Sequence, residues 1–436
     1  MKVNYLKFLY IAIIVILLII ISYLTFKLSS IFYSQSIIHT EYLILLILFF
    51  SITPFFIVFF NNINFILLVI STVGTLYLCE IYIFIKKEDI LYLKNQVTGN
   101  DVFLELKKKT PNKNISKWIG ASFVYQNQDF NADFLPLGSI SNSQVVWCNE
   151  QGYWVTFNSD RFGFNNIFYD DSKKYDFLII GDSFAEGACL EQNQNLQSNL
   201  SLKGLNGVSL GKGGNSSLLN YANFKEYHDF FKPKYVLWMH YENDIGGIKQ
   251  EMRSKILRKY LNEDNFKQNL VSRQNEIDEH LKFFFEKKNN TLHDIVTENQ
   301  NIIYTISKIL KFFNTREAIK TNLYTIDNYN YELFKLIIEK TRDTANKNNS
   351  QLIFFYAPAY EEIYKIKRYS NMKLERNKIF EILNNLNIKY YDLTDEIFID
   401  RNINYYPNLP DKDYAFHYNS NAYKLISDFI YSKIIK

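Results

Sequence analysis

The chain has 436 residues, a formal net charge of +4, 47% hydrophobic residues and three cysteines. That length accommodates a full globular domain and an accessory part besides. The small, scattered charge excludes a nucleic-acid partner, no Cys/His cluster has metal-ligand spacing, and no cofactor is expected.

In chain order, residues 5–26, 42–60 and 63–85 are almost wholly apolar. A helix crossing the hydrocarbon core needs about 20 such residues. The sequence therefore predicts three transmembrane helices, an anchor over residues 1–86, with a kink at Pro54. The stretch after the first run lacks a small-x-small cleavage site, which favours an anchor over a signal peptide. Lys2 and Lys7 outnumber Lys27 and favour a cytoplasmic N-terminus, whereas Lys86 and Lys87 argue the other way. Large domains translocate largely regardless of charge, so the remainder is expected outside the cytoplasm. Lys107–Lys109 reads as a solvated or lipid-facing patch. Cys79 falls in the third run, leaving Cys148 and Cys189, which can form one disulfide although their spacing does not decide it.

Residues 87–171 read as a linker and a small β-rich cap, with short alternating pieces such as SQVVWCNEQGYWVTF. From 172 to 436 the alternation becomes regular. DFLII, GVSL, YVLWMHY, QLIFFYAP and IKYYDL are short apolar runs of the kind that form buried strands, and helical stretches separate most of them. This predicts an α/β domain with a parallel sheet covered on both faces and its site at the carboxyl ends of the strands. Residues 249–328 read as a mostly helical insertion, a lid or docking element.

Nine of the fifteen glycines fall between Gly181 and Gly247, around the ends of the first three runs. Glycine goes where the backbone turns sharply or approaches another group closely. Ser183 follows a strand and Asp182 and precedes a helix, where backbone N–H groups favour developing negative charge. A serine needs a base within reach, and His417, in a loop before a C-terminal amphipathic helix, is the candidate. His228, His280 and His293 occupy helical positions and His240 ends a strand, so packing or surface roles suit them. The N–H of Ser183, the N–H of Gly214 and the Asn243 amide can serve as three oxyanion donors.

These four segments resemble the SGNH (GDSL-type) hydrolases: Gly181-Asp182-Ser183-Phe184 their first block, Gly214 the second-block glycine, Asn243 the third-block asparagine, His417 the histidine before the last helix. NSDRFGFNN, GDSFAEG, LGKGGNSS and KPKYVLW also resemble a bacterial membrane-associated subgroup. The resemblance implies a flavodoxin-like three-layer domain with esterase or O-acyltransferase chemistry on carbohydrate or lipid-linked substrates. With the three predicted spans, the chain is expected in the bacterial cytoplasmic (inner) membrane, multi-pass, acting on an ester-bearing surface glycan or its lipid-linked precursor. For a transferase, a partner protein supplying the acyl donor is expected. Two positions depart from the family. Tyr241 stands where a glycine is usual, and Tyr414 where the orienting aspartate is usual. Asp413 or Asp411 could orient His417, with Asp413 the candidate acid, or the pair Ser183–His417 acts as a dyad. The rival from another class is a catalytically inactive glycan-binding or scaffold module; a third reading is a lipid esterase.

Overall fold

Consecutive apolar residues in five short runs decide the architecture. The computed structural model describes residues 71, 73–82, 97–126, 133–167, 169–287, 309, 312, 328–365, 369–400, 402–407 and 417–434. A first, small sheet takes three short strands, β1 (Ile115–Lys117), β2 (Gln144–Val146) and β3 (Thr156–Asn158). β1 pairs parallel with β2, and β2 pairs antiparallel with β3.

The second sheet contains β4 (Phe177–Gly181), β5 (Gly207–Ser209), β6 (Tyr235–His240), β7 (Gln351–Tyr356) and β8 (Lys389–Asp392). All pair in parallel in the order β5-β4-β6-β7-β8. Counting only these strands the order is 2-1-3-4-5, the flavodoxin-like winding. Neighbours along the strands point to opposite faces. Leu178, Ile180, Val236, Trp238, Leu352 and Phe354 enter one core, and Phe177, Ile179, Leu237, Met239, Ile353 and Phe355 the other. A sheet buried on both faces needs apolar side chains at consecutive positions, which is why these runs lack polar alternation.

Helices complete three layers. After β4 comes the single turn α1 (Ser183–Glu186), then α2 (Leu196–Leu202), and after β5 the long α3 (Ser217–Phe231). β6 leads into α4 (Asn243–Gly246), followed by α5 (Lys255–Asn262) and α6 (Gln274–Lys287). α7 (Asn328–Lys347) precedes β7 and α8 (Ser420–Ile434) closes the chain. Leu218, Leu219, Ala222, Phe334 and Ile338 lie in the first core with α3 and α7; Leu196, Leu200, Ile426 and Ile430 lie in the second with α2 and α8.

The described part of the helical insertion is built into the first core through Leu257, Tyr260, Leu270, Ile277 and Leu281. The buried Glu226 of α3 fastens it, accepting from Tyr260 Oη at 2.5 Å, Gln268 N at 2.6 Å and Leu270 N at 2.9 Å. Gln268 and Asp278 in turn accept from the backbone N–H groups of Leu135 and Ser141 in the connection between β1 and β2. Residues Gln96–Val296 and Thr325–Lys436 accordingly form one compact unit. The other unit, Met1–Asn95 with Thr297–Tyr324, is described only at residues 71, 73–82, 309 and 312, where Tyr77 stacks on Phe312 at 4.4 Å.

The expected membrane anchor requires correction. Among the described residues no helix is long and apolar enough to cross a membrane. Residues 5–26 and 42–60 lie outside the described residues, and within 63–85 the continuous helical stretch is 73–82. The described stretch includes the fully buried Glu80. The three transmembrane helices, and the multi-pass inner-membrane location that followed from them, are therefore set aside.

Gly181, where β4 turns into the site, has φ +152°, and a Cβ there would stand 2.3 Å from the Met239 carbonyl oxygen and 2.7 Å from the Ala185 Cβ. Both conflicts fall on backbone or rigid neighbours at the centre of the sheet. Gly181→Ala is expected to lower unfolding stability by about 2–4 kcal/mol, measured by urea denaturation.

Candidate active site

The strand order changes direction about β4, so crossovers leave the sheet to opposite sides there, and in such sheets ligands bind at the carboxyl edge of that point. Ser183 stands there, immediately after β4. Gly214 follows β5 and Asn243 follows β6, the two strands that flank β4. The three proposed oxyanion donors thus come from adjacent strand ends. Gly214 takes φ +78°, and a Cβ there would meet Ser122 Oγ at 2.6 Å, so glycine is required on both counts.

Asp182 caps α1 by accepting the Phe184 N–H at 2.9 Å, which leaves Ser183 half-buried at the start of the turn. Ser183 Oγ lies 2.9 Å from Nε2 of His417. The other side of the imidazole meets a carboxylate from the small sheet. His417 Nδ1 stands 2.9 Å from Glu150 Oε1, and the backbone N–H of His417 donates to Glu150 Oε2 at 3.0 Å. With Nδ1–H donated to the carboxylate, the Nε2 lone pair faces the serine hydroxyl. That tautomer suits a general base.

Asp413 and Asp411 lie outside the described residues, as does His293. The carboxylate found against His417 is that of Glu150, which the sequence reading did not consider. Glu150 sits in the connection between β2 and β3, two residues after Cys148, and Cys148 is disulfide-bonded to Cys189 in the turn after α1. Cys189 Sγ is 3.9 Å from His417 Nδ1. The connection is further held by Val155 N–H to Cys148 O at 2.8 Å and Trp147 N–H to Val155 O at 3.1 Å. Two other described histidines stand apart from this arrangement: His228 is buried with Nε2 2.8 Å from Ser350 Oγ, and His280 Nδ1 is 3.1 Å from the Glu276 carbonyl of its own helix. Glu150, Cys189 and His417 offer ligand-type atoms within 4.8 Å of one another. They do not suit a metal, because the sulfur is bonded to Cys148 and the imidazole nitrogens face Glu150 and Ser183.

Buried charge fixes the second-block loop. Lys212 and Glu186 are fully buried and paired at 3.0 Å, and Glu186 also accepts Trp118 Nε1–H at 2.9 Å and Gly213 N–H at 2.7 Å. Every carboxylate lone pair so used lowers the cost of burying the charge. Ser216 and Ser217 donate their hydroxyls to the Asp244 carbonyl, tying the second-block loop to α4.

Beneath the serine lies a second polar layer. Burial, followed by the neighbouring Asp244, pushes the Asp182 carboxyl up to about 8. Burial also raises Asp244 well above the carboxylate range and depresses His240 to about 3, with His240 Nδ1 at 3.3 Å from Asp244 Oδ2. At neutral pH all three are predominantly uncharged. Tyr241 occupies the usual glycine position with its ring stacked on Phe184, centroids 3.8 Å apart.

No protein-family model matches the chain, and no curated protein does. Solved structures similar to it include the esterase EstA from a Pseudoalteromonas species, with 12% identity, 60% of this chain and 97% of that one covered and a TM-score of 0.31. The acetyl xylan esterase AlAXEase is similar at 12% identity over 59% of this chain and 98% of its own, TM-score 0.34. A lipase/acylhydrolase from Enterococcus faecalis is similar at 10% identity over 60% and 95%, TM-score 0.34. Likeness at this level does not carry function, so the reading below rests on the site itself.

Two outcomes follow. Glu150→Gln should retain the fold and lower kcat by about 10²–10⁴, the range for loss of a triad carboxylate, whereas Asp413→Asn should leave kcat within about twofold; steady-state hydrolysis of a p-nitrophenyl ester measures both. Separately, the Asp182 carboxyl is raised in the folded state from about 4 when unfolded, so its contribution to stability is full below about pH 4 and is lost as pH rises through about 8. Asp182→Asn should therefore reduce the fall in Tm between pH 5 and pH 9, read by thermal denaturation.

Proposed function

We propose that this chain is an SGNH-type serine esterase acting on acyl esters of a glycan. The observation that carries the reading is the continuous line from Ser183 Oγ through the His417 imidazole to Glu150, at 2.9 Å on each side. Ser183, His417 and Glu150 are the catalytic residues of this reading; Ser183 N–H, Gly214 N–H and the Asn243 amide are its oxyanion donors.

Ser183 Oγ attacks the ester carbonyl while its proton passes to His417 Nε2. The carbonyl oxygen becomes an oxyanion facing the three donors. Glu150 holds the imidazolium in place and stabilises its charge. The tetrahedral adduct collapses, the ester C–O bond breaks, and Nε2 returns the proton to the leaving alcohol. Water then attacks the acyl-enzyme, again giving a proton to Nε2, and Ser183 is regenerated as the carboxylic acid leaves. A sugar hydroxyl in place of that water would make the same acyl-enzyme an O-acyltransferase. An inactive binding module is the weaker reading, since a carboxylate is present where the family pattern alone suggested a missing acid.

The full-length chain should react with a fluorophosphonate probe and hydrolyse p-nitrophenyl acetate, and Ser183→Ala should lose the labelling and at least about 10³-fold in rate. Folded protein that neither labels nor hydrolyses, or labelling that persists in Ser183→Ala, would sink the reading.

A further inference from the structure

The chemistry above leaves unused a group of aromatic rings at the border of the site. Trp118 and Trp147 are both half-buried, with ring centroids 6.3 Å apart and planes only 12° from parallel. Phe123, with 58% of its surface exposed, sets its ring edge-on to Trp118 at 6.0 Å. The rings lie next to catalytic elements on two sides. A Cβ on Gly213, the neighbour of Gly214, would stand 2.8 Å from Trp118 Cζ2, so the indole packs directly against the second-block loop. Trp147 precedes Cys148, whose disulfide reaches the turn beside His417.

The rings are also held in place. Trp118 Nε1–H donates to the buried Glu186 at 2.9 Å, and the Lys212 ammonium stands 5.0 Å from its ring centre. Trp147 packs edge-on against the buried Phe157 at 5.1 Å. Rigid flat surfaces of this kind bind at little conformational cost.

We propose that Trp118, Trp147 and Phe123 form a subsite that stacks a pyranose ring of the ester-bearing substrate. This rests on the esterase reading and names its substrate class. A pyranose presents a face of C–H groups that matches an aromatic face, while its hydroxyls remain at the edge for water and polar side chains. The exposed Asn149 lies on the same hairpin tip as Trp147 and Glu150. An acyl chain, by contrast, gains most from an enclosed apolar cleft. Two partly exposed indoles with their planes nearly parallel, beside the exposed Phe123, suit the sugar better.

The test uses the full-length chain in two arms. In the binding arm, Ser183→Ala protein is titrated with free and O-acetylated oligosaccharides of glucose, xylose and N-acetylglucosamine, following tryptophan fluorescence and calorimetry. At least one should bind, and adding Phe123→Ala or Trp147→Ala should weaken it about fivefold to tenfold, with Trp147→Phe restoring part of the loss. In the kinetic arm, the same substitutions with Ser183 intact should raise KM for the acetylated oligosaccharide by a larger factor than KM for p-nitrophenyl acetate. No saccharide binding, equal losses on both substrates, or a loss confined to p-nitrophenyl octanoate would overturn the subsite. Saccharide binding by a chain that cleaves no ester would uphold the subsite and remove the esterase reading instead.

Discussion

His417 has two ring nitrogens and a partner for each, and the two partners come from segments 234 and 267 residues away. Everything that makes Ser183 more than an ordinary helix-start serine depends on that imidazole being held at both ends. The α/β sheet supplies one end, because Ser183 sits on the turn after its second strand in spatial order. The other end comes from the small three-stranded sheet, through a hairpin tip. A tip of this kind has conformational freedom of its own, and the Cys148–Cys189 crosslink, closing a sequence separation of 41, restricts it. The small sheet is in this sense part of the site and not a cover over it.

Acidic side chains that accept backbone N–H groups hold the rest of the site's loops in place. Asp160 accepts from Phe162 N, Phe164 N and Asn166 Nδ2, each within 2.9 Å. Asn166 then exchanges two hydrogen bonds with the backbone of Ser209 on β5. Glu251 accepts from Ser216, Leu218 and Leu219 at the start of α3, and Glu186 holds Gly213. A loop whose N–H groups are bound to a fixed acceptor cannot relax when an oxyanion develops, and preorganised donors are effective for that reason.

The strands and the four blocks were legible in the sequence because their signals are local. Consecutive apolar residues mark a strand buried on both faces, and Gly181 and Gly214 mark backbone that no other residue accommodates. The acid was not legible, since Glu150 lies in a short hairpin of ordinary composition and reaches His417 only through the packing of two sheets. One signal did point there: Cys148 precedes Glu150 by two residues, Cys189 follows Ser183 by six, and their pairing would have joined the two segments. The three-span reading failed for a different reason. Hydropathy measures how apolar a run is and not whether it folds as a spanning helix, and among the described residues no helix is long and apolar enough to cross a membrane.

The polar layer beneath the serine has a consequence for the electrostatics of the reaction. Asp182 adjoins Ser183, and Asp244 adjoins Asn243, so two ionised carboxylates here would oppose an oxyanion forming above them. Burial prevents this by raising both, Asp182 to about 8, while holding His240 neutral. In their neutral forms they act as fixed dipoles, with Asp182 capping the turn through Phe184 N–H. Glu150 lies on the far side of the imidazole from Ser183. On the esterase reading, that position lets it hold the imidazolium that forms as Ser183 loses its proton, with the ring between it and the oxyanion. Tyr241, in the position where the family usually has glycine, adds an aromatic ring to these buried surroundings by lying flat on Phe184.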